Sequence, residues 1–123
     1  MKIKQFEDLK VWQEARKLTK TIYRITSVRP FANDFGLRDQ IRRASTSIML
    51  NISEGFDSGS NQSFIQFLSY SRRSCSEVQS ALYIGLDNAY VNENDFKSLY
   101  EQTELTKKMI VAFIKYLKAT RNP

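Results

Sequence analysis

The stretch Leu37-Arg38-Asp39-Gln40-Ile41-Arg42-Arg43-Ala44-Ser45-Thr46-Ser47-Ile48-Met49-Leu50-Asn51-Ile52 decides the fold. Leu37, Ile41, Ala44, Ile48 and Ile52 recur every three or four residues, so they share one face of a helix. Strict alternation, the mark of a strand, is absent. Val28-Arg29-Pro30-Phe31-Ala32-Asn33-Asp34 closes the stretch upstream, and Gly55-Phe56-Asp57-Ser58-Gly59-Ser60-Asn61 closes it downstream. Both clusters are rich in residues that suit turns and caps.

Working outward, the segment before it carries Val11, Ala15, Leu18, Ile22 and Ile25 on one face. The segment after it carries Phe64, Phe67, Leu68, Ser71, Cys75, Val78, Leu82 and Leu86. Past a third break at Asn88-Ala89-Tyr90-Val91-Asn92-Glu93-Asn94, the last segment carries Phe96, Leu99, Thr103, Thr106, Ile110, Phe113 and Leu117. Four helices of about 30–40 Å joined by short connections pack as antiparallel neighbours. The expectation is an all-α, up-down-up-down four-helix bundle occupying residues 1–123 as one domain.

The ends agree with that reading. Asn92 with Asp95 forms a capping pair for the last helix, and Ser60 and Asn61 suit the start of the third. Gly55 is expected to close the second helix in a left-handed conformation. Lys115, Lys118 and Arg121 suit the negative end of the last helix, and the final two or three residues read as a frayed tail.

Composition removes several function classes. Histidine is absent, which takes away the commonest general base and metal ligand. The single Cys75 forms neither an internal disulfide nor a zinc cluster, and it fits a reducing compartment. No apolar run approaches the roughly 18 residues of a membrane span. The N-terminus lacks the apolar stretch of a signal peptide, so the expected compartment is the cytoplasm. No phosphate loop, dinucleotide fingerprint, EF-hand or nucleophile elbow is present; Gly55–Gly59 lacks the lysine and the preceding strand of a phosphate loop. The expectation is a protein that is not an enzyme, with no cofactor and no metal.

Two polar features stand out against the apolar stripes. Gln40, Arg43, Ser47, Asn51 and Glu54 follow one side of the second helix, next to its apolar face, and the third helix has a matching flank at Tyr70, Ser74, Glu77 and Ala81. Folding the pair back at Gly55–Ser60 brings Arg43 level with Ser74 and Glu77, which predicts a partly buried Arg43–Glu77 contact. The stripe suits helix register or a subunit contact better than chemistry, because no nucleophile has a base beside it.

The second feature is a line of Lys10, Lys17, Lys20 and Arg24 opposite the apolar stripe of the first helix. With a net charge of +6, such a line suits a phosphate backbone. Arg38 and Arg42 on the second helix and Arg72 and Arg73 on the third add cations able to pair bidentately with phosphate. Trp12 and Tyr23 sit at the edge of the first apolar stripe, and Met49, Leu50, Ile84 and Met109 lie off the core faces. That surplus of apolar surface predicts a homo-oligomer.

Three segments carry a family resemblance: Phe6-Glu7-Asp8-Leu9-Lys10-Val11-Trp12, Phe35-Gly36-Leu37-Arg38-Asp39-Gln40-Ile41-Arg42-Arg43-Ala44 and Ser47-Ile48-Met49-Leu50-Asn51-Ile52-Ser53-Glu54-Gly55. With Ser74 and Glu77 on the third helix, they resemble the bacterial four helix bundle protein family, also called the 23S rRNA intervening-sequence protein or S23 family. Ser53 departs from the alanine usual there. The resemblance implies a bundle assembling into a ring-like homopentamer. It also implies kinship with the accessory variability protein of diversity-generating retroelements, which works with a reverse transcriptase and binds nucleic acid. Together these readings predict a non-catalytic oligomer that binds RNA or other nucleic acid through its basic surface. The alternative is a protein–protein interaction scaffold.

Overall fold

Apolar residues at helical spacing gain most when four such segments bury one another. The computed structural model, which describes residues 2–120, has that arrangement. Among the described residues there are four α-helices: α1 (Lys10–Thr26), α2 (Phe35–Phe56), α3 (Asn61–Asp87) and α4 (Glu93–Ala119). Each packs on the next, and α4 returns beside α1, which is the expected up-down-up-down bundle. Short 3-10 turns at Phe6–Asp8 and Phe31–Asn33 precede α1 and α2. Three residues hold less than one helical period, so the apolar spacing could not reveal them.

All five stripe residues of α2 are buried, with Ile41, Ile48 and Ile52 fully enclosed. Val11, Ala15, Leu18 and Ile22 meet them from α1, Leu68, Cys75, Val78 and Leu82 from α3, and Leu99, Ile110 and Leu117 from α4. Ile25, Phe67, Leu86, Phe96 and Phe113 are half-buried at the edges. Each enclosed leucine or isoleucine contributes about 1.5–3 kcal/mol relative to an exposed one. Thr103 and Thr106, buried among them, donate their hydroxyls back to Leu99 O (2.7 Å) and Gln102 O (2.9 Å).

The α2–α3 seam corrects two expectations. Gly55 does not end α2 in a left-handed conformation; the helix runs on to Phe56 and is capped by Asp57 at φ −84°. The residue is glycine because a Cβ there would lie 2.7 Å from Phe64 Cδ1 and 2.9 Å from Phe67 Cβ. The left-handed glycine of this connection is Gly59, at φ +91°. The register also differs. Ser74 Oγ donates to Ser47 Oγ at 3.0 Å and Ser71 Oγ donates to Ile48 O at 2.9 Å, so Ser47, not Arg43, is level with Ser74. These two bonds place the fold-back point near Ser60. Gly55→Ala is expected to lower stability by about 1–3 kcal/mol through overpacking, despite alanine's better helix propensity. A denaturant titration with an unchanged or raised midpoint would contradict this.

The caps form as expected. Ser60 accepts from the Ser63 N–H at 3.2 Å, and Asn92 accepts from the Asp95 N–H at 2.7 Å. Asn61 is the first residue of α3 rather than its cap, and its amide donates across to Thr120 Oγ1 (2.7 Å) and Leu117 O (3.3 Å) on α4. Asp34 serves two elements: Oδ1 accepts from the Leu37 N–H at 3.1 Å and Oδ2 accepts from the Tyr90 hydroxyl at 3.0 Å. That bond pushes the Tyr90 phenol above its ordinary pKa. Lys118 lies in the last turn of α4. Arg121 and the expected tail lie outside the described residues.

The helix that does end left-handed is α3. Tyr90 N–H donates to Gly85 O (2.8 Å), Ala89 N–H to Leu86 O (3.0 Å), and Ala89 has φ +60°. This is a Schellman closure with alanine where glycine is usual. Ala89→Gly is expected to raise stability by about 0.5–1 kcal/mol, the relieved left-handed cost of about 1–2 kcal/mol outweighing the added freedom of the unfolded chain. A thermal melt showing a lower midpoint would exclude it.

Candidate nucleic-acid interface

Because Val11, Ala15, Leu18 and Ile22 point into the core, α1 turns Lys10, Lys17, Lys20 and Arg24 outward, and all four are exposed. Among the described residues the ion pairs are Arg38–Asp39 (2.9 Å) and Lys107–Glu104 (3.9 Å), so none of the four has a carboxylate partner. Glu14, the one acidic residue of α1, is half-buried. Arg16 joins the strip. With Gln13, Lys17 and Lys20 it lines a shallow pocket of about 350 Å³, and its Cζ lies 5.7 Å from the centre of the Trp12 ring. Its place one turn after Trp12 was the available signal for it.

The other candidate arginines divide. Arg42 on α2 reaches α1: its Nε donates to Thr26 Oγ1 at 2.8 Å, one Nη to Ser27 Oγ at 3.0 Å, and its Cζ lies 4.6 Å from the Tyr23 ring centre. It is thus half-buried and pinned, but still without a carboxylate. Arg38 is half-buried, paired with Asp39, bonded to Ala32 O at 3.2 Å and seated 4.8 Å over the Phe35 ring. Arg72 and Arg73 are exposed on α3, the latter beside Tyr70. As α3 sits diagonally from α1, the structure joins Arg42 to the α1 strip, holds Arg38 on Asp39 and Ala32 at the start of α2, and leaves Arg72 and Arg73 apart from the strip.

The polar stripe is half an internal seam and half a surface. Asn51 Nδ2 donates to Ser47 O (2.9 Å) and to Ser47 Oγ (3.0 Å), and Ser74 joins through Ser47. Gln40, Arg43, Glu54 and Glu77 are exposed. Arg43 and Glu77 are exposed rather than partly buried, and no ion pair joins them. The two line one pocket of about 380 Å³ with Gln40, Ala44 and Ser47. With Ser47 and Ser74 meeting behind them, both charged side chains stay in water, where full solvation outweighs a screened attraction.

A second polar group was not anticipated. Gln79, buried beside Cys75, donates to Glu104 Oε1 (2.9 Å) and accepts from Lys107 Nζ (2.7 Å). Its position flanking the Cys75–Val78–Leu82 stripe was the only hint. Burial pushes the Cys75 thiol up to about 12, so it stays a neutral core group. Of the surplus apolar residues, Trp12, Met49 and Met109 pack against the core, while Tyr23, Leu50 and Ile84 are exposed. Phe35, Tyr83, Leu105 and Tyr116 are exposed as well.

Among the described residues no group of His, Cys, Asp or Glu side chains is placed to hold a metal ion, and no helix is long and apolar enough to cross a membrane. Residues 7–112 match the family described as 23S rRNA-intervening sequence protein. The chain belongs to this family. In fold it is similar to a crystal structure of a protein of unknown function from the S23 ribosomal protein family of Bacteroides thetaiotaomicron. That likeness has a TM-score of 0.79 and 22% identity, over 85% of this chain and 98% of the other. At that identity the likeness establishes the four-helix fold. No curated protein matches the sequence. Family membership thus agrees with the resemblance seen in Phe6–Trp12, Phe35–Ala44 and Ser47–Gly55.

Proposed function

We propose that this member of the family is a non-catalytic cytoplasmic bundle that assembles with copies of itself and binds RNA through the outer face of α1. The observation that carries the reading is the exposure of Lys10, Lys17, Lys20 and Arg24 without a carboxylate partner. Cations already paired would have to give up a partner before meeting a phosphate; these do not. Arg16 and Arg42 widen the same face. Contact is through phosphates, so sequence specificity is low. Self-association is supported by exposed Leu50 (59%) and Ile84 (48%), large side chains with no role inside one bundle. Several copies then sum their basic faces on one RNA.

The test is binding to a structured RNA across a salt series. Each phosphate contact contributes about 0.7–0.9 to the slope of log K against log salt. A steep negative slope is expected; no binding at low salt, or a flat response, contradicts the proposal. The scaffold reading is favoured by one observation, the exposed Arg43 and Glu77 lining one pocket without an ion pair between them. A protein partner that co-purifies irrespective of nuclease treatment is the result that supports it.

A further inference from the structure

The basic face of α1 is bordered by aromatic rings, each with an arginine over or beside it. Trp12, Arg16 and Tyr23 are spaced so that they fall within about 40° of arc on α1. From α2, Arg42 lies 4.6 Å over Tyr23, and Arg38 lies 4.8 Å over Phe35. Tyr23 is 41% exposed and Phe35 63% exposed. Trp12 is half-buried, with its ring edge-on to Phe6 at 5.2 Å and Arg16 at 5.7 Å. Trp12 and Tyr23 are roughly 16 Å apart along the helix, and Phe35 lies two turns before Arg42 on the same side of α2.

We infer that this α1–α2 face is a stacking platform for single-stranded RNA. The inference rests on the RNA-binding reading above and sharpens it. A nucleobase presents a flat π surface that stacks on an aromatic ring or on a guanidinium plane. Arg42 is suited to this, because its bonds to Thr26 and Ser27 fix its plane before any ligand arrives. In a duplex the base faces are hidden, so only an unpaired strand can use the rings.

Charge selects the same occupant. Arg16 and Arg42 have no carboxylate partner, and Lys20 and Arg24 stand exposed beside them. An apolar protein surface laid over these rings would bury unpaired cations. A strand of RNA brings the rings their bases and the cations their phosphates together.

Trp12 is the only tryptophan of the chain, so its emission reports on this face. The experiment titrates the intact protein at low salt with an unstructured single-stranded oligonucleotide and with an RNA duplex of equal charge. The single strand is expected to quench Trp12 and to bind about tenfold more tightly than the duplex. Tyr23→Ala and Phe35→Ala remove exposed rings and leave the core in place, which a circular-dichroism melt verifies. Each is expected to weaken single-strand binding about tenfold and to leave duplex binding nearly unchanged. Equal affinity for the two RNAs, or ring variants that bind the single strand as before, overturns the platform while leaving RNA binding standing. Failure of both RNAs to bind contradicts the RNA reading itself.

Discussion

Phe31→Ala is expected to remove about 3–5 kcal/mol of stability, the largest loss from any one substitution discussed. Phe31 belongs to the connection between α1 and α2, yet it is fully buried and heads the largest enclosed side chains. Its ring stands 5.3 Å from that of Tyr90, and a Cβ added at Gly85 would lie 3.4 Å from it. It thus wedges the α1–α2 connection under the end of α3, where Tyr90 also bonds Asp34 at the start of α2. Alanine leaves a ring-sized cavity among helix ends that cannot close without moving the Schellman turn at Ala89. Domains of this kind are stable by only about 5–15 kcal/mol, so the loss takes a large share of the total. A melting point lowered by roughly 10–20 °C is the expected reading. A loss below about 1 kcal/mol would mean that the connection is not held by this ring.

The bundle was legible in the sequence because periodicity is a property of the chain itself. Leu37, Ile41, Ala44, Ile48 and Ile52 are spaced for one face and are all buried. Caps at Ser60 and Asn92 were legible for the same reason, being local. Features set by a distant partner were not. Gly55 reads as a helix end until Phe64 and Phe67 are placed against it. Ala89 carries no sign of its left-handed backbone. Arg43 and Glu77 do line one pocket, but spacing does not reveal that Ser47 and Ser74 meet behind them and leave both charges in water. Arg42 looked like a free surface cation because spacing does not reveal Thr26 and Ser27 on the neighbouring helix. Phe31 sat within a turn cluster, and nothing local marks it as core.

The second large effect concerns binding. Lys17→Glu, Lys20→Glu and Arg24→Glu together replace three exposed, unpaired cations on the outer face of α1. Each reversal changes the charge by two, so the three cancel the +6 of the chain. None of the three contributes to the core, so the melting point is expected to stay close to that of the unmodified protein. RNA affinity at low salt is expected to fall at least about a hundredfold, since attraction at three phosphates turns into repulsion. Lysine-to-alanine changes at the same sites would act in the same direction and less strongly, because they remove attraction without adding repulsion.

The most direct test of the α1 face is the salt dependence of RNA binding, measured side by side for the unmodified protein and this triple variant. The prediction is a steep slope for the former and a slope shallower by about two to three units for the variant, with both proteins folded. Equal slopes and equal affinities would contradict the assignment of RNA binding to this face.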